Sequence, residues 1–485
     1  MKQSLFNHHS SLFTIEALCT LLFGVAVFLF FGLAYPHHLH YQEQYQLFLF
    51  DSTYMWDIVK LPGGIADLLG RFCTQFFLFA WVGAFIIALL LTLVQLLTLR
   101  LFNGQWSMVN GQWVYGLTFV PSFLLWIFLL DENALLGGVG AVLLTLLWIT
   151  GTVLMIQFFK RKMVSRRTVP VILRRTVPVI LVLIAIPIIY WMAIGGSHYH
   201  RYPTVVPMLL YAAWLSAIVL PFIVRFFKFQ VPSFKFQGLS FLLVAAIMGC
   251  FVWKNANFKA EKVMQYDFMA RYQQWNRILA TANAEKPNNQ IGVTVQNLAL
   301  GMHGMLADHL FEYNQNGIAG LLPDIQRDAT SPLPTAEAFY QLGMIYAAQR
   351  TVFEAQEAIL DFQKSARCYK RLAQTNLING SYEVARKYLM ALQKTLFYRD
   401  WANETLSLLG NEEAIAKHPE YGRLRQFAYD KDFYFGDHLT PETLERLFFS
   451  NTDNRLAFEY LKAYYMLTND RESYVKLMEE VRSKR

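Results

Sequence analysis

The chain has 485 residues, of which 55% are hydrophobic and 16% are charged. Soluble domains average about 25% charged residues, so this composition excludes a protein that is water-soluble throughout. The net charge of +8 lies in residues 1–253, which hold 15 Lys and Arg against 7 Asp and Glu, whereas residues 254–485 hold 28 of each sign. A neutral C-terminal part without a basic stripe argues against nucleic acid as a partner.

Seven apolar runs in the first part of the chain have about the length that crosses a bilayer as a helix. The first run is not expected to be a cleaved signal peptide, because it is long and has no basic leading region beyond Lys2. The sequence therefore predicts a transmembrane domain of about seven helices over residues 1–253. The predicted spans are residues 12–35, 76–99, 114–130, 134–158, 176–195, 207–224 and 239–253.

The distribution of basic residues predicts the orientation of these spans, because positively charged loops stay in the cytoplasm. The connection 159–175 carries seven Lys and Arg residues, and the connection 225–238 carries three. The alternate connection 196–206 has only Arg201. The pattern predicts a bacterial inner-membrane protein with a cytoplasmic N-terminus and a periplasmic or otherwise extracytoplasmic C-terminal domain.

An exact repeat interrupts this membrane part, since RRTVPVIL occurs at residues 166–173 and again at 174–181. A slipped tandem duplication that lengthens a cytoplasmic loop is the plain interpretation. Binding of anionic lipid head groups through the four arginines is the functional alternative. Within the spans, Glu16 is the one carboxylate, and an ionisable residue in a membrane is a functional candidate by default. Its place near the cytoplasmic end of the first span also lets it reach water.

The connection 36–75 is too long for a simple turn. Residues 41–50 mix aromatic residues and Leu with Gln and Glu, which predicts a helix lying along the membrane surface. The residues Pro62, Gly63 and Gly64 predict a break in the chain. His37, His38 and His40 lack the i, i+4 spacing of a helical metal pair, so polar interfacial residues are expected there and no metal site.

The C-terminal part, residues 254–485, shows amphipathic runs separated by short polar turns, which predicts helical hairpins. Thr335 and Thr440 are expected to begin helices, and a turn is expected before Trp275. Two stretches resemble tetratricopeptide repeats, with an offset of 30 residues in place of the family's 34. The resemblance implies a concave surface that binds a peptide or protein, with a generic helical bundle as the alternative. The matching residues are Phe339, Leu342, Gly343, Tyr346 and Ala355, followed by Tyr369, Leu372, Ala373, Gly380, Tyr382, Ala385 and Leu389.

Three stretches, residues 62–77, 297–313 and 454–470, resemble a family of uncharacterised bacterial multi-pass membrane proteins. The layout also resembles the GT-C class of membrane glycosyltransferases, which combine a multi-helix membrane module with a long, acidic first outside loop. The chain lacks the adjacent acidic pair typical of that loop and has only the separated Glu43 and Asp51.

The GT-C resemblance implies roles for three residues. Glu43 would act as the general base, Asp51 would bind a divalent cation, and Arg201 would neutralise the phosphate of a polyprenyl-phosphate-linked sugar. The first hypothesis is not catalytic: a membrane-anchored scaffold, in contact with membrane lipid, whose extracytoplasmic repeat domain holds a protein or peptide of the envelope. No resident cofactor or metal is expected in that case. The glycosyltransferase is the alternative, so the sequence leaves open whether the protein is an enzyme.

Overall fold

The computed structural model describes residues 3–104, 112–165, 180, 183–188, 191, 205–226, 236–323, 331–359, 363–429 and 441–483. Helices dominate these residues, which contain no β-strand, so the predicted all-α class is confirmed. Contacts divide the chain into two units. The first unit comprises Met1–Glu43 and Phe50–Phe258, and the second comprises Gln44–Leu49 and Lys259–Arg485. The sequence analysis placed the boundary after residue 253 and assigned no part of the 36–75 connection to the C-terminal domain.

The first unit is built from long apolar helices joined by shorter ones. Its helices are α1 (Gln3–Leu29) with a π-helical turn (Phe30–Ala34), α2 (Pro36–Glu43), α3 (Ser52–Val59), α4 (Gly64–Thr74), a 3-10 helix (Gln75–Leu78), α5 (Ala80–Gly104), a 3-10 helix (Gln112–Phe119), α6 (Val120–Phe128), α7 (Leu136–Ser165), α8 (Val205–Phe226) and α9 (Phe236–Asn255).

Four of the described helices, and not the predicted seven, are long and apolar enough to cross a membrane. The third predicted span is divided between a 3-10 helix and α6, with Pro121 in the first turn of α6, so its apolar helix is too short. The sixth predicted span also contains a shorter apolar helix, and most of the fifth lies outside the described residues. The four spans are Glu16–Ala34, Ala80–Phe102, Leu136–Phe158 and Gly238–Asn255, and the shorter helices are Gly116–Phe128 and Met208–Pro221.

Small residues let helices α4 and α7 approach closely in the first unit. A Cβ atom on Gly70 would lie 2.4 Å from the backbone nitrogen of Gly137, and a Cβ on Gly137 would lie 3.2 Å from the Cα of Asp67. Close backbone contact at small residues is a common way to pack helices in a membrane, where apolar burial between helices adds little. The α4–α7 contact therefore depends on glycine at position 70.

The connection 36–75 differs from the sequence expectation. Helix α2 ends at Glu43 and residues 46–51 are not helical, so the surface helix expected over 41–50 is wrong. The amides of this stretch bond instead within the second unit, where the nitrogen of Leu47 donates to the carbonyl of Lys364 at 2.8 Å. The predicted break at Pro62–Gly64 is confirmed, because Gly63 adopts a left-handed conformation with φ of 72°.

The second unit consists of short amphipathic helices, several of which begin at a capping side chain. Asn289, Ser365, Asn411 and Asn454 each accept a hydrogen bond from the backbone nitrogen three residues later. The helices are α10 (Phe258–Arg271, whose first residue belongs to the first unit), α11 (Trp275–Glu285), α12 (Gln290–Met302), α13 (Leu306–His309), a 3-10 helix (Leu310–Glu312), α14 (Pro332–Leu342), α15 (Ile345–Ala358), α16 (Ala366–Ile378), α17 (Tyr382–Gln393), α18 (Arg399–Leu408), α19 (Glu412–Lys417), α20 (Tyr421–Phe427), α21 (Pro441–Ser450), α22 (Arg455–Thr468) and α23 (Arg471–Ser483).

Two helical hairpins, α14–α15 and α16–α17, occupy the stretches that resemble repeats. The second stretch follows the expected order: α16, a turn at Gly380 with φ of 76°, and α17 with the buried Ala385. In the first stretch, Gly343 has φ of 85° and ends α14, so Tyr346 falls on the next helix and the repeat pattern is broken. A tetratricopeptide domain is therefore not established.

Other helix boundaries test the sequence expectations for this unit. Helix α14 begins at Pro332, so the expected start at Thr335 is wrong, because prolines at the first turn extend the helix backwards. The turn before Trp275 is confirmed, since α11 begins at that residue. Helix α21 begins at Pro441, directly after Thr440, which lies outside the described residues.

Candidate functional site: the arginine network and the segment beside it

The second unit includes the non-helical segment Gln44–Leu49, which begins with a turn at Gln44 and Tyr45. The segment's backbone bonds to Lys364, as given above, and five of its six residues are buried. The Leu47 side chain packs in an apolar cluster formed by α16, α17 and α18. Its buried members are Ala366, Ala373, Leu389, Leu392, Tyr398 and Ala402. The unit thus provides a carbonyl acceptor and an apolar side-chain cluster for a stretch of non-helical chain.

Arg367, on the first turn of α16, joins this segment to the rest of the unit. Its guanidinium donates two parallel hydrogen bonds to Asp267 of α10, at 2.6 and 2.8 Å, and one to the Gln44 side-chain oxygen at 3.1 Å. Glu337 of α14 lies 3.6 Å away. Burial alone lowers the pKa of Arg367, but the two carboxylates more than offset it and hold that pKa above its usual value. The guanidinium is therefore a permanent buried cation.

Arg371 lies one helical turn further along α16 and forms the second half of the network. It pairs with Glu337 and stacks over the ring of Tyr340, 3.6 Å from the ring centre. The Tyr340 hydroxyl in turn donates to Glu420 at 2.9 Å. Burial, with the nearby Glu420, raises the pKa of Tyr340 well above its usual value, although Arg371 acts in the opposite direction. The phenol therefore stays protonated and serves as a donor.

A buried thiol, that of Cys368, follows Arg367 directly in this network. Burial raises the pKa of the neighbouring Cys368 to about 11, so its thiol stays protonated at neutral pH and is a poor nucleophile. Within the described residues, no group of three or more His, Cys, Asp or Glu side chains is arranged to hold a metal ion. The buried Arg367 is instead a donor of the kind that binds amide and carboxylate oxygens.

Two of the residues predicted from the GT-C resemblance lie outside this network. Glu43 is buried at the end of α2 in the first unit. Asp51 precedes α3, and its carboxylate accepts a hydrogen bond from the backbone nitrogen of Tyr54 at 3.0 Å. Arg201 lies outside the described residues, as does almost all of the RRTVPVIL repeat. The catalytic roles of the three residues therefore stay a prediction.

The histidines after the first span are part of the protein interior. His37 and His38 are buried, and a ring nitrogen of His38 lies 2.9 Å from the carbonyl oxygen of Leu129. Burial lowers the pKa of His38 to about 4, although the hydrogen bond to Leu129 acts in the opposite direction. His38 is consequently neutral at physiological pH.

Replacing Asp51 distinguishes a capping role from a chemical one. Asp51→Ala removes the N-cap of α3 and is expected to lower the free energy of unfolding by about 0.5–2 kcal/mol. Asp51→Asn retains a good capping oxygen and is expected to leave stability almost unchanged. Urea unfolding in detergent micelles measures both. Equal destabilisation by the two variants would show that the charge, and not the cap, is what matters at this position.

The sequence analysis missed the arginine network. Its members are Asp267, Glu337, Arg367, Arg371 and Glu420, which come from three helices and from the residue that precedes α20. The sequence contains one local signal for this network, the i, i+4 spacing of Arg367 and Arg371, which places both on one face of α16. The repeat pattern predicts that apolar positions on the same face are buried. Two cations on the buried face of a helix require buried carboxylate partners.

The chain belongs to a family of unknown function (DUF6057), whose sequence profile matches residues 10–198 and 152–485. The resemblance to an uncharacterised family is therefore confirmed. The two matched regions overlap over residues 152–198, which contain both copies of RRTVPVIL. No curated protein and no solved structure matches the chain, so neither resemblance to a characterised class receives support from a relative.

Proposed function

We propose that this protein is a membrane-anchored scaffold whose helical second unit binds a non-helical polypeptide segment of another envelope protein. The observation that carries the proposal is the non-helical segment Gln44–Leu49, which this unit already holds. The apolar spanning helices supply the membrane anchor.

The contacts of this segment define the kind of partner sequence that the site accepts. Arg367 binds the side-chain oxygen of Gln44, and the apolar cluster receives Leu47 three residues later. We therefore expect a partner segment with an amide or carboxylate side chain followed, three positions on, by a Leu-sized apolar residue.

The chain's own segment competes with such a partner. A segment that is tethered on both sides acts at a high effective concentration, in the millimolar range for short flexible links. A partner binds only when it displaces Gln44–Leu49 or when that segment is released. Without a partner, the chain's own segment Gln44–Leu49 thus occupies the binding site.

The orientation is part of the proposal. The second unit stands outside the inner membrane and the N-terminus inside, as the basic connection 159–175 favours. This arrangement requires an odd number of crossings. The number of crossings is seven if the four long apolar helices, the two shorter ones and the predicted span 176–195 all cross the membrane.

A peptide probe tests the site and the orientation together. Leu47→Asp is expected to release the internal segment, because a carboxylate replaces an apolar side chain in the cluster. A fluorescent peptide of residues 42–51 should then bind to spheroplasts that express this variant, and weakly to those with the unaltered chain. A peptide that itself carries Asp at position 47 should bind about 10- to 100-fold less tightly. Fluorescence anisotropy after detergent extraction gives the affinities.

The control variant is Val475→Asp, which places the same charge at an exposed position of the second unit and should behave like the unaltered chain. Equal binding of the two peptides to Leu47→Asp would contradict the proposed site. Binding confined to inside-out vesicles would retain the site and reverse the orientation.

The glycosyltransferase alternative stays a prediction. It requires Glu43 or Asp51, together with Arg201, to face one lipid-accessible cavity and to act on a polyprenyl-phosphate-linked sugar, with a divalent cation if Asp51 binds one. The capping contact of Asp51 gives that residue a structural role in α3 without any substrate.

A further inference from the structure

A groove of about 600 Å³ runs between the spanning helices α1 and α5 of the first unit. One wall is a stripe of α1 from Glu16 to Phe28, and the other is a stripe of α5 from Phe85 to Leu99. Small side chains line its floor, including Gly24, where a Cβ atom would lie 3.0 Å from the Thr92 hydroxyl. The two helices thus touch at the floor of the groove and leave space above it.

The groove opens towards the surroundings of the helices. Five of its large apolar residues are exposed: Leu21 at 63%, Phe85 at 58%, Leu89 at 47%, Val25 at 42% and Leu96 at 39%. On a helix that crosses a membrane, such a surface faces lipid and excludes water. A lipid chain is therefore the occupant that this lining favours.

The length of the groove matches one leaflet of a bilayer. Twelve residues separate Glu16 from Phe28, which corresponds to about 18 Å along a helix. Half of the hydrocarbon core of a bilayer is about 15 Å. The groove thus accommodates one acyl chain of a lipid in a single leaflet, with Glu16 at the head-group end.

Glu16 gives that end a negative charge. It is the first residue of the apolar span Glu16–Ala34, and it is the ionisable side chain among the described residues that line the groove. The α1 backbone is held there by a hydrogen bond of 2.9 Å from the Tyr115 hydroxyl to the Glu16 carbonyl. One turn deeper, the Thr20 hydroxyl donates to the side-chain oxygen of Gln95 at 3.2 Å. The carboxylate therefore projects from a section of helix whose position is fixed.

We propose that this groove binds one acyl chain of a phospholipid that carries a primary ammonium group, and that the ammonium pairs with the Glu16 carboxylate. Apolar lining and length select a lipid chain, and charge complementarity selects an aminophospholipid over an anionic one. The site is independent of the peptide-binding role proposed for the second unit.

Photolabelling of the full-length protein in nanodiscs tests this site. The probes are phosphatidylethanolamine and phosphatidylglycerol with the same diazirine-bearing acyl chain, and labelled peptides are identified by mass spectrometry. We expect labelling on α1 and α5, about tenfold stronger for the ethanolamine lipid, as for one charge-assisted hydrogen bond. Glu16→Gln should abolish this preference and leave labelling by the acyl chain.

A second variant tests the groove itself. Val25→Trp fills the space and should reduce labelling of α1 and α5 by both lipids. Val219→Trp is the matched control, because Val219 on α8 is exposed to a similar extent, 40%, and does not line the groove. If Val25→Trp yields no folded protein, Leu89→Trp fills the groove from the opposite wall.

Two results would overturn the proposal. Equal labelling by the two lipids in the unaltered protein, or stronger labelling by phosphatidylglycerol, removes the aminophospholipid assignment. Labelling of α1 and α5 that is the same in Val25→Trp and Val219→Trp shows that the acyl chain lies elsewhere.

Discussion

Arg367→Met is expected to lower the free energy of unfolding of the second unit by about 3–5 kcal/mol, because it leaves a buried carboxylate without its partner. Asp267 loses both hydrogen bonds of the bidentate pair, and Gln44 loses its contact with the guanidinium. Met retains most of the apolar volume of the Arg side chain. The decrease in the free energy of unfolding is therefore due to the lost charge and not to lost packing. Urea unfolding of the full chain in detergent, followed by tryptophan fluorescence, measures the change.

Two controls separate this effect from a general sensitivity of the unit. Lys417→Met removes an exposed ion pair with Glu413, which solvent screens, and is expected to change stability little. The double variant Arg367→Met, Asp267→Leu replaces the buried pair by apolar residues and should recover much of the lost stability. A cost for Arg367→Met no greater than that for Lys417→Met would mean that the pair is solvated in solution.

Gly70→Ala is expected to destabilise the first unit by about 1–3 kcal/mol. The added methyl group would lie 2.4 Å from the backbone nitrogen of Gly137 and 2.6 Å from its Cα atom, so helices α4 and α7 must separate. Backbone atoms cannot turn aside as a flexible side chain can. The thermal unfolding midpoint of the purified protein in detergent is the measurement.

Gly151→Ala provides a control of opposite sign. Gly151 lies on α7 with no atom within 4 Å of an added Cβ. Alanine is a better helix former than glycine by about 1 kcal/mol, so this variant is expected to be neutral or slightly stabilising. If both substitutions raise the unfolding midpoint, the close α4–α7 contact is absent.

Local sequence patterns do not predict the long-range contacts of the candidate site. Arg367 and Asp267 are 100 positions apart, and Arg367 and Gln44 are 323 positions apart. Charge spacing identifies residues that share a helix face, but it contains no information about which distant helix supplies the partner. The catalytic roles were predicted from the GT-C resemblance for charged residues of two connections, Glu43 and Asp51 in one and Arg201 in the other, and the structure gives Asp51 a local capping contact.

The sequence alone determined the all-helical class, the presence of helices apolar enough to cross a membrane in the first part, and the hairpin α16–α17. Each of these properties depends on apolar periodicity or on a turn residue, which act over one or two helical turns. Gly380 and the start of α11 at Trp275 are examples. Only the tertiary structure decided that residues 44–49 leave the connection 36–75 and join the second unit as a non-helical segment. A stretch of mixed aromatic and amide residues suits a surface helix and a non-helical segment equally well, and contacts with residues more than 300 positions away determine which one forms.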